Sequence, residues 1–137
     1  PDLRVVLLDS LERRVALLAE ASVALKWEGR VVAELARAED TGRSPQWRAQ
    51  ADAVTARSFG PPATVAECAA PLLRINGVLV VSEPPEETNR WPADGLAPLG
   101  LLDEGSPVPG MRRLRQVSLC PDTYPRRVGM PAKRPLF

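Results

Sequence analysis

Four consecutive apolar residues, Val5 to Leu8, stop at Asp9, and a helical periodicity begins two residues later. No other stretch restricts the fold as much. An unbroken apolar run of this length suits a strand buried on both faces, as in a parallel sheet. Ser10 is placed to cap a helix whose apolar residues fall at Leu11, Val15, Leu18, Ala21 and Leu25. Asp9 therefore sits at the carboxyl end of a strand, where a helix starts. In open α/β sheets ligands bind along that edge, and an acid there can accept hydrogen bonds from both hydroxyls of a nucleotide ribose. Asp9 is thus a candidate ribose-binding acid. A negative charge that only favours the positive end of the helix dipole fits the same pattern.

The alternation continues. Arg30 to Ala36 reads as a second strand, followed by the acidic pair Glu39 and Asp40 and by turn residues from Thr41 to Pro45. Pro45 suits the first turn of a short helix through Gln50, anchored by Trp47. Asp52 to Thr55 is a third, weaker strand. Gly60, Pro61 and Pro62 turn into a helix carrying Val65, Ala69, Leu72 and Leu73, which Asn76 and Gly77 end before the strand Val78 to Ser82. Strand and helix in strict alternation predict an α/β fold with parallel pairing and right-handed crossovers.

Beyond Glu83 the composition shifts. Ten of the fifteen prolines lie from Pro84 onward, which excludes continuous helix and predicts a segment that wraps the surface, with one strand over Arg112 to Cys120. The charge shifts too. Residues 1–110 hold 11 Lys or Arg against 16 Asp or Glu, whereas residues 111–137 hold seven against Asp122 alone. A basic end on an acidic body points to a polyanion, or else to a solvated tail.

The 137 residues suffice for one domain with a core, and the opening at Pro1 without an initiator Met suggests a fragment. No apolar run reaches the roughly 18 residues that span a bilayer, and no signal-peptide pattern is present, so the expected setting is cytoplasmic, away from membranes. Cys68 and Cys120 lack metal or redox spacing and read as buried thiols. The chain has no histidine. That argues against a Ser/His/Asp hydrolase and against a zinc enzyme, and no metal is expected.

Taken in order, the segments LLDSLERRVALL (Leu7 to Leu18), ARAED (Ala36 to Asp40), VTARSF (Val54 to Phe59), PLLRINGVLVV (Pro71 to Val81) and YPRRVGMPAKRPLF (Tyr124 to Phe137) resemble the RsmG, or GidB, family. Its members are class I S-adenosylmethionine-dependent methyltransferases acting on N7 of a guanine in 16S, small-subunit ribosomal RNA. The resemblance implies a partial Rossmann-like methyltransferase fold, a mostly parallel sheet with flanking helices. Its first strand and glycine-rich loop are missing, because the chain starts at the second strand. Residues 1–110 would form the partial core, and 111–137 the final strand and basic, proline-containing tail of the same domain. An isolated fragment of this kind is expected to expose unpaired strand edges and to be unstable or self-associating; the full-length protein is expected to be a monomer.

The resemblance also implies roles. Asp9, with Ser10 beside it, matches the acid that binds the cofactor ribose; Ala38 and Glu39 match the turn that meets the adenine; Arg57 matches the arginine at the cofactor's methionine end. Arg126, Arg127, Lys133 and Arg134 would contact RNA phosphates, with Tyr124 the one candidate for stacking on a base. Guanine N7 attacks through a lone pair and carries no proton, so no catalytic side chain is expected, and alignment of the reactants is the protein's task. The family commonly has Lys-Gly after the fifth strand, where this chain reads Ser82, Glu83, Pro84, Pro85. Two other readings stay open: an RNA-binding remnant without catalysis, and a methyltransferase of the same fold with a different substrate.

Overall fold

Val5–Asp9 forms a strand, β1, in a computed structural model that describes residues 3–84 and 89–137; Val6 is exposed and the other four residues are half-buried, so the strand is not covered on both faces as its apolar run predicts. β1 leads into helix α1 (Glu12–Ala24), which returns the chain to β2 (Val31–Leu35). The two strands pair in parallel, Val5 opposite Val31 and Asp9 opposite Leu35. This right-sized βαβ unit belongs to the first of two compact units, Pro1–Ala38 and Glu39–Phe137. One detail departs from the sequence reading. Ser10 caps nothing: Leu11 occupies the N-cap position without a side-chain bond, and the Asp9 carboxylate takes the Leu11 N–H instead. A carboxylate two residues back reaches that amide as an Asx-type turn, leaving the serine exposed. At the other end of α1, Lys26 (φ 56°) and Gly29 (φ 81°) reverse the chain in the left-handed region.

Helix α2 (Ala38–Arg43) starts at the last residue of the first unit, and the second unit continues through β3 (Ala51–Ala56), α3 (Pro62–Ala69) and β4 (Leu73–Ser82). Two short elements, α4 (Ala93–Leu96) and β5 (Leu101–Asp103), precede β6 (Met111–Gln116) and a last turn of helix, α5 (Met130–Lys133). Its sheet runs β3-β4-β6-β5. β3 and β4 are parallel, whereas β6 lies antiparallel to both β4 and β5. Among the described residues β1 pairs only with β2, and β3 only with β4.

Leu73, Leu79, Leu96, Leu99 and Leu114 are fully buried and, with Val81, Leu101 and Trp91, form the core of the second unit. Each such leucine contributes on the order of 2 kcal/mol by leaving water. α3 presses on this core along nearly its whole length, because its row of Ala63, Ala66 and Ala69 lets the backbone approach closely.

Several boundaries differ from expectation. The helix predicted to run on to Asn76 stops at Ala69; a 3-10 turn over Ala70–Leu72 follows, and Leu73 already belongs to β4. Asn76 and Gly77 mark an irregularity inside that strand. Asn76 has φ 67°, the β3–β4 register shifts between Ala51 and Ala53, and a Cβ on Gly77 would lie 2.9 Å from the Ala51 carbonyl oxygen. The short helix expected from Pro45 is a turn, with the Ser44 carbonyl accepting from Trp47 and Arg48 and Ala49 at φ 55°. The helix lies earlier, in α2. β6 ends at Gln116, so Cys120 is outside it. Of the Ser82 to Pro85 segment, Pro85 lies outside the described residues.

Both cysteines are buried. Burial pushes the Cys68 thiol up from 9.0 to about 12, helped by the Glu39 and Glu67 carboxylates. Cys120 rises to about 11, also through burial, with the Arg48 charge pulling the other way. A raised folded-state pKa gives stability that is whole below the unfolded value and lost as pH rises through the folded value. The unfolding free energy is therefore expected to fall between about pH 9 and pH 12. Urea unfolding across that range should show a flatter profile in a Cys68→Ala/Cys120→Ala variant; the same slope in both proteins would refute the assignment.

Candidate cofactor and RNA-facing site

In the first unit, the end of β1 delivers Asp9. Its Oδ1 accepts the Leu11 N–H at 2.9 Å, its Oδ2 lies 3.4 Å from Arg14 Nη1, and its backbone carbonyl accepts the Ala36 N–H at 3.1 Å. The Leu11 hydrogen bond holds the carboxyl below its usual range; desolvation opposes this and Arg14 assists. Asp9 is therefore an ionised, acceptor-only group whose side chain remains partly open to solvent, with lone pairs left for a vicinal diol. Arg14, in the first turn of α1, is this acid's ion-pair partner.

Helix α2, which follows strand β2, carries two further candidates. Ala38 is its first residue and Glu39 its second, both half-buried. Glu39 Oε1 accepts the Gly129 N–H at 2.9 Å. Arg57 follows β3 directly, is exposed, and makes no ion pair with any described residue. Ser58 beside it has φ 52°, and Phe59 stands 51% exposed. A left-handed non-glycine residue at a strand's carboxyl end stores strain of the kind found at ligand sites.

The C-terminal segment is built into this unit rather than trailing from it. Arg48, which the sequence did not single out, donates to the carbonyls of Gly42, Tyr124, Cys120 and Pro121 at 2.8–2.9 Å and pairs with Asp122 at 3.2 Å. Arg43 Nε donates to the Pro125 carbonyl, across a cis Tyr124–Pro125 bond, and Thr64 Oγ1 to that of Pro131. Glu67, on α3 and 0% exposed, takes the Arg126 N–H and Nε at Oε1 and its Nη2 at Oε2, with distances of 2.8, 2.8 and 2.6 Å.

These ties sort the late positive charges. Arg112 pairs with Asp103, Arg113 and Arg115 with Glu104, and Arg126 with Glu67. Arg126, expected to face RNA, instead has its guanidinium held internally, and the Glu67 hydrogen bonds raise its pKa. Arg127, Lys133 and Arg134 are exposed and have no acidic partner among the described residues. Glu83, the acid where the family commonly has a base, pairs with Arg90 at 3.2 Å, so its charge is balanced locally. A hollow of about 500 Å³ lined by Pro45, Arg48, Ala49, Leu119 and Cys120 contains none of the expected site residues.

Comparisons with known proteins agree on the family. The model of the GidB family, described as rRNA small subunit methyltransferase G, matches residues 1–89. A ribosomal RNA small subunit methyltransferase G of an Exiguobacterium species is 33% identical over 100% of this chain and 62% of its own length. A protein of the same name from a Roseiflexus species is 37% identical over 99% and 62%. The chain thus spans about 62% of the length of the curated relatives it matches. Among solved structures, a candidate methylase of Haemophilus influenzae superposes with TM-score 0.57 at 15% identity, covering 84% of this chain and 73% of the other. A Bordetella parapertussis protein reaches TM-score 0.62 at 13% identity, with coverages of 86% and 55%. These structures share the fold, and the family match, covering well over half of the sequence, places the chain in the family of rRNA small subunit methyltransferase G, GidB.

Proposed function

We propose that this chain serves an S-adenosylmethionine-dependent transfer of a methyl group to N7 of a guanine in small-subunit ribosomal RNA, in the cytoplasm. The observation that carries the reading is the ionised acid Asp9 at the end of a parallel strand, within the segment that matches the family. The donor set fits the cofactor. Asp9 offers acceptors for ribose hydroxyls; among the described residues Glu39 keeps a carboxylate oxygen without a partner, and Arg57, with no ion-pair partner there, is suited to the carboxylate of the methionine moiety. Ala38 contributes backbone beside the adenine, and Ser10, which caps nothing, has a hydroxyl free for the ribose edge.

The bound cofactor supplies an electrophilic methyl group on a sulfonium. Of the chain's residues, Asp9 in the first unit would hold the ribose, and Glu39 and Arg57 in the second would hold the adenine and the methionine end, each by its own contacts; alignment of the reactants would lower the barrier through effective molarity. Guanine N7 has a lone pair and no proton, so no side chain is assigned as general base. β6 and the basic segment within residues 111–137 would form the RNA-facing part. Incubating the full-length protein with S-adenosylmethionine and small-subunit RNA should yield one N7-methylguanine, mapped by cleavage at the modified base; the 137 residues alone, without the glycine-rich loop, are expected to be inactive. Absence of any cofactor-dependent RNA product would overturn the proposal.

Arg127, Lys133 and Arg134 are assigned to the phosphates, with Arg126 behind them. Converting the three exposed cations to Ala should weaken RNA binding and reduce the salt dependence, by about 2 in the slope of log K against log salt for three contacts to single-stranded RNA. An unchanged slope in the triple variant would remove these residues from the interface.

A further inference from the structure

We propose that Glu39 is a positioning residue that links occupancy of the adenine site to the RNA-facing segment, so that methyl donor and RNA bind with positive linkage. The inference rests on the functional reading above, and it goes beyond it by naming the group that joins the two sites. Glu39 stands in both. Its place in the turn after β2 faces it toward the adenine in the proposed function, while its Oε1 holds the Gly129 amide at 2.9 Å.

Gly129 is where the cation-bearing loop changes direction. It adopts φ 80° as the N-cap residue of α5; the Met130 N–H bonds the Arg127 carbonyl, and the Lys133 N–H bonds the Gly129 carbonyl. Arg127, Lys133 and Arg134 therefore radiate from a loop whose pivot is the peptide that Glu39 holds. The flanks are fixed separately, by Arg43 at Pro125, by Thr64 at Pro131 and by the Glu67–Arg126 pair. The packing of α2 against the segment is also tight, since a Cβ on Gly42 would lie 3.0 Å from Pro125 Cγ. With the flanks secured, the bond to Glu39 joins the cofactor-binding turn directly to the loop that carries Arg127, Lys133 and Arg134.

Glu39 is half-buried, and Oε2 accepts no hydrogen bond from a described residue. A donor on the bound nucleoside that engages Oε2 restricts the carboxylate to one rotamer, the one in which Oε1 faces Gly129. RNA then meets a loop whose pivot is already ordered, and by linkage RNA must favour the cofactor by the same factor.

The test uses the protein, S-adenosylhomocysteine as a non-reacting analogue, and a small-subunit RNA fragment. In the wild type, saturating S-adenosylhomocysteine should tighten RNA binding about fivefold, with reciprocal tightening of the analogue by RNA. It should also slow amide exchange at Gly129. In Glu39→Ala each ligand should bind, but the ratio should drop to about one. Glu39→Gln keeps an acceptor for Gly129, so its RNA affinity without the analogue should equal that of the wild type, as a role in pivot placement requires. Analogue binding with no change in RNA affinity or Gly129 exchange in the wild type would overturn the linkage and leave the function standing. A wild-type ratio retained in Glu39→Ala would overturn it too. No analogue binding at all would overturn the proposed function, and the linkage with it.

Discussion

Replacing Glu67 by Ala should unfold the second unit or come close to it, with a loss of about 3–5 kcal/mol. Glu67 is 0% exposed, and both its oxygens are occupied, by the backbone and guanidinium of Arg126. Truncation leaves a half-buried guanidinium with no counter-charge and an amide with no acceptor; the remaining donation from Arg126 Nη2 to the Arg134 carbonyl does not neutralise it. It also opens a polar cavity beside Ala63, Ala66 and Cys68 on the buried face of α3. For a domain of this size each kcal/mol shifts the melting temperature by roughly 4–8 °C, so a drop well above 10 °C is expected. Thermal unfolding followed by circular dichroism measures it. Glu67→Gln, which keeps the shape and one acceptor, should lose clearly less. A Glu67→Ala variant within 3 °C of the wild type would show that Arg126 finds solvent and that the pair is dispensable.

The same pair shows how far the sequence could be read. Periodicity located β1, α1 and β2 to within a few residues because each has its own apolar pattern and its own stop signal, Asp9 and Gly29 among them. It missed β5 and α4, since three residues, Leu101 to Asp103, and four, Ala93 to Leu96, hold no period at all; they are ordered by packing against the core around Leu99 and Leu114. It misread Leu72 to Asn76 because Leu72 and Leu73 continue the helical spacing of Val65 and Ala69 and an Asn-Gly pair is a turn signal in isolation, while the β4 ladder overrides both. For the site, the Asp9 position was legible from local order alone. The status of Arg126 was not: a buried glutamate 59 residues away decides it, and charge counting treats every arginine alike. Arg48 carried no signal either, as its acceptors are backbone carbonyls that any sequence supplies.

Arg48→Ala should release the chain from Cys120 to Tyr124 and lower stability by on the order of 3 kcal/mol. Each hydrogen bond from a charged donor contributes about 1.5–3 kcal/mol, but three of the four acceptors lie on one segment and cannot be lost independently. The pair with Asp122 adds little, because that carboxylate is fully exposed. What fails is the carbonyl cluster: Cys120, Pro121 and Tyr124 lose their donor together, and water must replace it inside a packed corner. Cys120 reports the event. Its thiol is 7% exposed and pushed up to about 11 by burial, so in the wild type it should react with a disulfide reagent at pH 8 far more slowly than a free cysteine. Removing Arg48 takes away a charge that favours the thiolate, which alone would slow the reaction further. Acceleration in Arg48→Ala therefore has one source, exposure of the segment, and a rise of at least tenfold is expected. Arg48→Lys should recover only part of the protection, since an ammonium lacks the planar fork that reaches Gly42 and Tyr124 from one nitrogen and Cys120 and Pro121 from another. If Arg48→Ala labels Cys120 at the wild-type rate or slower, the segment is held by Arg43, Thr64 and Glu67 without it.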